Sequence, residues 1–217
     1  MESPLLAVLS EPDRRDFLAL ARRRRFTAGQ IIFHDGDPGD TMHLMTKGHV
    51  AVRITTPLGD VATLRVIRAG EFFGELAVIA PGPRNATVVA LDSVETLAIH
   101  KEQLDELRAR RPAVEGVITN ALVAEVRRLA SALTEALYLP SEPRLIRRLL
   151  EVASLFGTRD EPAAVVPLSQ EALAQLAGLT RPTANRILRR AEEQGLVRIG
   201  RNKVEILDHQ TLSRRAK

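Results

Sequence analysis

The sequence predicts an α+β fold with three parts: an N-terminal antiparallel β-roll of the jelly-roll type, a long dimerisation helix and a C-terminal winged helix-turn-helix. Short β-prone segments punctuated by glycines fill residues 26–100. The stretch Glu102–Leu137 then repeats apolar residues at a period of about 3.5, as in a coiled-coil seam. Finally, Leu168–Leu207 holds two short amphipathic segments followed by a β-hairpin pattern.

Composition and charge narrow the class of protein. A chain of 217 residues can form two domains, and the lack of cysteine excludes disulfides, thiol redox chemistry and cysteine-ligated metal sites. No apolar run approaches the ~18 residues of a membrane span, and no signal-peptide pattern opens the chain, so a cytoplasmic protein without a membrane partner is expected. Residues 141–217 carry 14 Lys and Arg against 9 Asp and Glu, a net charge of +5 that suits a partner rich in phosphate.

Two short helices are expected before the β-roll, at Pro4–Leu9 and Pro12–Ala21. Four consecutive arginines follow, Arg22–Arg25, read first as a solvated charged face and alternatively as a contact to phosphate or to an acidic partner. Glycine-containing turns such as Gly36–Asp40 separate the predicted strands at intervals of about ten residues, which favours antiparallel pairing. The strands are predicted at Gln30–Phe33, Thr41–Thr46, His49–Thr55, Val61–Ile67, Ala86–Leu91 and Glu95–Ile99.

One insertion in the β region, Ala69–Asn85, is too long for a hairpin turn. Within it, Gly74, Glu75 and Leu76 can start a short helix whose N–H groups face an anion, because glycine lets a phosphate approach the backbone closely. Arg84 supplies a countercharge and Glu75 an acceptor for a sugar hydroxyl, which are the two groups that a cyclic nucleotide needs. The alternative is an ordinary surface ion pair between Glu75 and Arg84.

The long helix is predicted over Glu102–Leu137, with a kink or break at Pro112. A continuous helix would reach about 54 Å, more than a small domain needs for its own core, so we expect a second copy of the chain to pack on it, with an intrachain helix as the alternative. Leu139–Pro143 contains two prolines and is expected to end the helix and act as a hinge. Beyond it, a further helix over Arg144–Phe156 and a turn-rich loop over Gly157–Ala164 are expected. The predicted seam consists of Val114, Ile118, Ala121, Leu122, Glu125, Leu129, Ala132 and Ala136.

Two helices joined by a tight turn at Gly178, followed by a hairpin wing, are predicted in the C-terminal part. Ser169 can cap the first helix and Thr180 the second, with Pro182 in the first turn of the second helix. The wing turns at Gly200–Lys203. The second helix carries arginines on its polar face, and their planar fork matches the guanine edge in the major groove; the alternative is a solvated basic face on a helical hairpin. Its apolar stripe is Ala184, Ile187, Leu188 and Ala191.

Three stretches, in this order, resemble the Crp/Fnr type of bacterial transcription regulator, the catabolite-activator superfamily. They are the Gly36–Asp40 turn with Gly48, the segment FFGELAVIAPGPRNATV at Phe72–Val88, and the segment LTRPTANRILRRAEEQGLV at Leu179–Val197. The resemblance spans essentially the whole chain. It implies a cyclic-nucleotide-binding β-roll at residues 1–101, a dimerisation helix at 102–139 and a winged helix-turn-helix DNA-binding domain at 140–217.

The same resemblance implies an effector site for cAMP or another cyclic nucleotide. Gly74, Glu75 and Leu76 would line the pocket floor, and Arg84 would bind the cyclic phosphate. Asn85 stands where cAMP-responsive bacterial members usually have serine; it can still donate a hydrogen bond. On the long helix, residues 131–134 lack the adjacent hydroxyl pair that contacts adenine in those members, so the resemblance leaves the identity of the base open.

For DNA, the resemblance places Arg181 and Arg186 at base-contacting positions. Pro182 replaces the glutamate of many members, which predicts a pseudo-palindromic operator whose half-site departs from TGTGA. Double-stranded DNA and a second copy of the chain are the expected partners, with RNA polymerase as a further candidate. The predicted DNA contacts are Ser169, Gln170, Thr180, Arg181, Thr183, Asn185, Arg186, Arg189, Arg190 and Lys203.

The mechanism expected is allosteric: an effector in the β-roll repacks the paired long helices and reorients the DNA-binding domains across Leu139–Pro143. A regulator that binds DNA independently of cyclic nucleotide, or senses another small effector, is the main alternative. A haem sensor would need a histidine ligand, for which His43 or His49 is conceivable. An enzyme is not expected, because the histidines show no metal-ligand spacing and no nucleophile partner.

Overall fold

The computed structural model describes residues 3–57, 59–157 and 164–217 and divides the chain into two compact units. The first unit comprises Met1–Ile54 and Leu64–Arg128, and the second comprises Thr55–Thr63 and Leu129–Lys217. One helix, Ala113–Tyr138, contributes residues to both units.

The first unit is built on two antiparallel sheets, with strand orders β1-β8-β3-β6 and β2-β7-β4-β5. The β-roll predicted from the glycine-punctuated segments is therefore confirmed. Its strands are β1 (Arg22–Phe26), β2 (Ile31–Phe33), β3 (Thr41–Lys47), β4 (His49–Thr55), β5 (Val61–Arg68), β6 (Phe72–Phe73), β7 (Thr87–Ala90) and β8 (Val94–His100). The accompanying helices are α1 (Pro4–Ala7), α2 (Glu11–Leu20), α3 (Leu76–Ile79), α4 (Lys101–Arg110) and α5 (Ala113–Tyr138).

Strand β3 shows how the roll separates two apolar cores. Successive side chains of a strand point to opposite faces, so Met42 and Leu44 join a core formed with the flanking helices, while Met45 joins the core between the sheets. His43 lies on the inner face as well, opposite Ala98 of β8. The helix-side core also contains Phe17 of α2. In the interior of the roll, His43 lies against the rings of Phe33 and Phe73.

The four arginines lie in a strand, which the sequence reading missed. Arg22–Arg25 are exposed, as predicted for a charge run, but they form most of β1, which pairs with β8 along one edge of the sheet. A strand at a sheet edge tolerates charge on both faces, and charge there opposes pairing with other chains. The two-residue strand β6 was also missed, because it is too short for a periodic pattern.

The long helix is interrupted at Arg111 and Pro112, which confirms the predicted break. The continuous helix of about 54 Å is therefore wrong: α5 alone, with 26 residues, spans about 39 Å. The predicted seam is also partly wrong, because Val114 and Ile118 are buried in the helix-side core of the roll. Beyond them, α5 exposes a series of large apolar side chains, namely Val123, Val126, Leu129, Leu133, Leu137 and Tyr138.

The second unit contains the predicted helix-turn-helix and wing. Its helices are α6 (Ser141–Phe156), α7 (Gln170–Ala177), α8 (Arg181–Glu193) and α9 (His209–Arg215), and its strands β9 (Val165–Val166), β10 (Val197–Gly200) and β11 (Lys203–Ile206) pair in the order β10-β11-β9. Helix α6 begins three residues before the predicted Arg144, so Pro143 lies in its first turn, where proline is tolerated. Within the loop predicted at 157–164, residues 158–163 lie outside the described residues.

Candidate functional site

The loop that joins β6 to α3 approaches Arg84 so closely that it requires glycine. Gly74 has φ +78°, and a Cβ built on it would lie 2.7 Å from Arg84 Nη1. Any L-residue would therefore be strained by its backbone and would collide with the guanidinium. Helix α3 is a single turn whose Val78 and Ile79 N–H groups bond to the carbonyl of Glu75. The predicted glycine-initiated short helix is present.

Arg84 is only 4% exposed and spans the interior of the β-roll. Its Nη1 donates to the carbonyl of Gly74 and its Nη2 to Thr41 Oγ1, both at 2.9 Å. The guanidinium carbon lies 4.2 Å from the centre of the Phe33 ring, a cation–π arrangement. Nε is buried and has no hydrogen-bond partner. Burial lowers the pKa of the guanidinium, and nearby carboxylates oppose that shift.

The alternative of a surface Glu75–Arg84 ion pair is wrong for the described chain. Arg84 is buried, and its two Nη groups bond to Gly74 and Thr41 instead. Glu75 is half-buried, and this burial raises the pKa of its carboxyl despite the opposing charges of Arg65 and Arg84. A carboxylate in such a place gains from a hydrogen-bond donor, which a ribose hydroxyl can supply. Leu76 and Asn85, by contrast, are exposed.

A charged cluster beside this loop was not predicted from the sequence. Glu125 of α5 accepts hydrogen bonds from Arg65 of β5 and from Arg128 one turn along α5, at 2.7–2.9 Å. Arg65 also bonds Glu71 at 3.0 Å, and Arg128 donates to the carbonyl of Leu64 at 2.9 Å. The hydrogen bond with Arg128 is the main cause that lowers the pKa of Glu125. The only signal in the sequence was a carboxylate within an otherwise apolar seam.

In the second unit, the helix caps and the turn are those predicted. Ser169 Oγ accepts from the Ala172 N–H at 3.1 Å, and Thr180 Oγ1 accepts from the Thr183 N–H at 3.4 Å. Gly178 ends α7 in the left-handed conformation, with φ +60°. The residues of α8 predicted to face inward are buried, namely Ala184, Ile187, Leu188 and Ala191. The opposite face of α8 is therefore left for its arginines.

The residues predicted to contact DNA differ in their surroundings. Arg181 and Arg186 are exposed, and neither has a carboxylate partner among the described residues. Asn185 donates to Gln170 of α7, so this pair also ties the two helices together. Arg189 is exposed and lies 3.5 Å from Glu192, and Arg190 is exposed and lies 4.0 Å from Glu142. Thr183 is half-buried beside its cap.

The wing is a tight hairpin between β10 and β11. Gly200 pairs with Lys203, and Asn202 takes the left-handed backbone conformation, with φ 55°, that such a turn requires. Lys203 is exposed at the start of β11. The neighbouring Arg201 is exposed as well and was not among the predicted contacts. Its place in the predicted four-residue turn is the sequence signal that could have identified it.

The histidines that were candidates for a haem ligand have partners in the protein. His43 Nδ1 lies 3.1 Å from Thr96 Oγ1, and its ring stacks on Phe73 with centroids 5.0 Å apart. Burial, helped by the charges of Arg84 and Arg24, lowers the pKa of His43 to about 4. His49 Nδ1 lies 2.7 Å from Asp92. Across residues 3–57, 59–157 and 164–217, no cluster of potential metal ligands occurs and no helix has the length and apolarity to cross a membrane.

Comparison with known proteins agrees with this division. Residues 23–111 match the cyclic nucleotide-binding domain, and residues 143–215 match the Crp-like helix-turn-helix domain. The CRP-like cAMP-activated global transcriptional regulator of Mycobacterium tuberculosis is 30% identical over 88% of this chain and 87% of its own. The cyclic AMP receptor protein of Thermus thermophilus is 33% identical over 94% of this chain and 92% of its own.

Solved structures show the same fold. The c-di-GMP responsive global regulator CLP of Xanthomonas campestris has a TM-score of 0.78 at 22% identity and covers 92% of this chain and all of its own. The catabolite activator protein of Thermus thermophilus has a TM-score of 0.57 at 29% identity, covering 99% of this chain and 98% of its own. With both domains matched in order and relatives similar over nearly the full length, the chain belongs to the CRP/FNR family of DNA-binding transcription regulators.

Proposed function

We propose that this regulator binds a pseudo-palindromic operator as a homodimer and that cAMP or a related cyclic nucleotide, held in the β-roll, controls its affinity for DNA. Residues 1–101 form the effector domain, 102–139 the dimerisation region and 140–217 the DNA-binding domain. Gly74, Glu75 and Leu76 line the ligand site, with Arg84 and Asn85 at the phosphate. We further propose that the protein acts in the cytoplasm and is not an enzyme.

The ligand proposal rests on the burial of Arg84 and on its Nε, which has no hydrogen-bond partner. A guanidinium that is 4% exposed and has a buried Nε without a partner is costly unless an acceptor approaches it. An anion at this point supplies both the acceptor and the opposite charge. The half-buried Glu75 in the same loop offers an acceptor for a hydroxyl, so the loop matches the two chemical groups of a cyclic nucleotide.

The exposed apolar stripe of α5 supports the homodimer. Val126 and Leu137 are each 66% exposed and Leu133 is 61% exposed, and their spacing places them along one side of the helix. Large apolar side chains repeated in this way favour a second helix as the packing partner. A pair of chains would also present two α8 helices, which can reach successive major grooves about 34 Å apart.

The basic face of α8 supports the role in reading DNA. Arg181 is exposed in the first turn of α8 and Arg186 on the side opposite the buried stripe, so their forks can reach base edges, while Lys203 on the wing can reach phosphate. Among the other predicted contacts, Ser169 caps α7, Thr180 caps α8, and the Gln170 side chain accepts a hydrogen bond from Asn185 of α8. RNA polymerase is proposed as a further partner of the DNA-bound dimer.

A second candidate, a regulator of the same fold that binds DNA without cyclic nucleotide or senses another effector, is favoured by two features. Asn85 is exposed where a buried donor to the phosphate would be expected, and residues 131–134 lack the adjacent pair of hydroxyl side chains that would contact an adenine. Both features concern which ligand binds and how tightly. They leave the role of Arg84 unchanged.

Calorimetric titration with cAMP and with cGMP, each with and without operator DNA selected from a random library, tests the proposal. Arg84→Lys is the suitable variant, because it retains the charge and stem of a buried side chain but loses the planar fork. We expect at least one of the two nucleotides to bind the wild type and to bind Arg84→Lys at least about tenfold more weakly. Failure of both nucleotides to bind the wild type would favour the second candidate.

A further inference from the structure

A cavity of about 300 Å³ lies in the β-roll on the β1 side of Arg84. Of the residues predicted to hold a cyclic nucleotide, only Arg84 lines this cavity; the rest of the wall comes from other strands and turns. Its apolar wall includes Phe26, Ile32 and Phe33. A volume of this size is at the lower end of the range of small-molecule sites, about 300–1,000 Å³.

The arginine run supplies the mouth of this cavity through strand alternation. Arg22 lies opposite Ala98, which in turn lies opposite His43, so these three share the inner face of the sheet. Arg22 and Arg24 line the cavity, whereas Arg23 and Arg25 point to the other face of β1. The run of four arginines is thus two pairs with different surroundings.

Charge in the cavity favours an anion. Arg22 and Arg24 have no carboxylate partner in the described part of the chain, whereas Arg25, on the other face, pairs with Glu95 at 3.2 Å. Two carboxylates, Asp37 and Asp40, also line the cavity, and their charges oppose the effect of burial on the pKa of Arg84. Asp37 accepts from the His34 N–H at 2.7 Å, and Asp40 lies 3.8 Å from His100 Nδ1. The cationic side chains on the wall therefore outnumber the carboxylates.

The unpartnered Nε of Arg84 is a second observation that points to an anion here, and the cyclic-nucleotide proposal draws on the same atom. It belongs to a side chain that is almost wholly buried and that forms a wall of the same cavity. His43, which lies deeper on the inner face, stays neutral at physiological pH because burial and the charges of Arg84 and Arg24 lower its pKa to about 4. His43 therefore adds no positive charge to that of the arginines.

We propose that Arg22, Arg24 and Arg84 form a phosphate-binding site in this cavity, distinct from the cyclic-nucleotide site with which it shares Arg84. The ligand is a terminal phosphate, either free or carried by a nucleotide-sized molecule whose flat ring packs on the apolar wall. Arginine forks match phosphate geometry, and a dianionic terminal phosphate gains more from three guanidinium groups than a singly charged cyclic phosphate does. The inference rests on the proposed function only through the shared residue.

Calorimetric titrations with 5′-AMP, inorganic phosphate and cAMP at one fixed ionic strength test this site. The double variant Arg22→Ala/Arg24→Ala is compared with Arg23→Ala/Arg25→Ala, which removes the same charge from the same strand but on the other face. We expect the first variant to weaken 5′-AMP binding at least about tenfold, and the second to leave it within about twofold of the wild type. Affinity for cAMP should change little in either variant.

Each other outcome is decisive. Inorganic phosphate that binds as tightly as 5′-AMP assigns the site to the free anion, and tighter 5′-AMP binding assigns it to a nucleotide. The proposal is overturned if neither binds the wild type, if the two double variants lose equal affinity, or if Arg22→Ala/Arg24→Ala weakens cAMP as much as 5′-AMP. Absence of cAMP binding to the wild type would contradict the cyclic-nucleotide proposal. The 5′-AMP titration would still decide whether the phosphate site of Arg22, Arg24 and Arg84 exists.

Discussion

Arg65 Nη1 donates to Glu125 Oε2 at 2.9 Å, and this contact fastens strand β5 of the roll to helix α5. Arg128 completes the arrangement, since it bonds both oxygens of Glu125 and the carbonyl of Leu64. The cluster lies in the electrostatic surroundings of Glu75, whose carboxyl pKa responds to both Arg65 and Glu125. In the proposed mechanism, a ligand bound beside Glu75 acts on α5 through these side chains.

Neutralising Glu125 should weaken this link. Glu125→Gln leaves two arginines facing each other without their shared carboxylate, so we expect the free energy of unfolding to fall by about 1–3 kcal/mol. We also expect cAMP to enhance DNA binding less in this variant than in the wild type. Urea unfolding and fluorescence anisotropy on operator DNA measure the two effects.

Glu115→Gln is the matched control for that variant. Glu115 is on the same helix and pairs with Arg108 of α4 at 2.6 Å, without contacting a strand through this pair. The control should keep the full cAMP effect on DNA affinity. If both variants kept it, Glu125 would have a structural role only.

The dimer proposal predicts a charge-sensitive stripe on α5. Leu133→Glu places a carboxylate on the exposed apolar side and should convert the dimer into a monomer, because burying an unpaired charge in an interface is unfavourable. Ser131→Glu is the control, since Ser131 is also exposed but lies on another side of the helix. Light scattering coupled to size-exclusion chromatography gives the mass of each. A Leu133→Glu protein that stayed dimeric would move the interface elsewhere.

The buried His43 predicts a pH dependence of stability. Its pKa in the folded chain is about 4, below the 6.5 of an unperturbed histidine, so the stability it contributes is complete above pH 6.5 and is lost as the pH falls towards 4. The loss should reach roughly 3 kcal/mol, since one pKa unit corresponds to about 1.4 kcal/mol. Urea unfolding gives the free energy of unfolding of the wild type and of His43→Gln at several pH values between 7 and 4. The difference between the two proteins should change over this range by the contribution of His43. Parallel curves for the two proteins would show that His43 titrates normally.

The recognition helix and the wing should respond differently to substitution. Arg186→Ala should cost about 1–3 kcal/mol in specific binding and relax the preference at one operator position, as expected for a base contact. Lys203→Ala should weaken binding to all sequences alike and reduce the salt dependence by about one phosphate contact. Selection from random duplexes and anisotropy at several salt concentrations separate the two. Identical behaviour of both variants would remove Arg186 from base readout.

Most of the strands and the caps of the DNA-binding helices could be predicted from the sequence, because their signals are local. Glycine turns separate the apolar strands, and Ser169 and Thr180 lie directly before the helices they cap. Strand β1 could not be predicted in this way. Arg22–Arg25 have no local preference for a strand, and what places them in one is pairing with β8, some seventy residues later.

The candidate site was predictable in its residues but not in its contacts. Arg84 was identified from its spacing to Gly74, yet its other partner, Thr41, lies 43 residues away and only the folded roll brings the two together. Glu125 illustrates the opposite error. Its position fits a seam, but the side chain turns towards Arg65 instead, because a carboxylate finds opposite charge on the roll and none among the exposed apolar side chains of α5.

The most direct measurement is the dissociation constant for a selected operator duplex, determined by fluorescence anisotropy with and without saturating cAMP, on the wild type and on Arg84→Lys. We expect cAMP to tighten binding of the wild type by about 5–150-fold, the usual range of allosteric coupling, and to leave Arg84→Lys nearly unchanged at the same cAMP concentration. Equal dissociation constants for the wild type with and without bound cAMP would contradict control of DNA binding from the β-roll by this nucleotide.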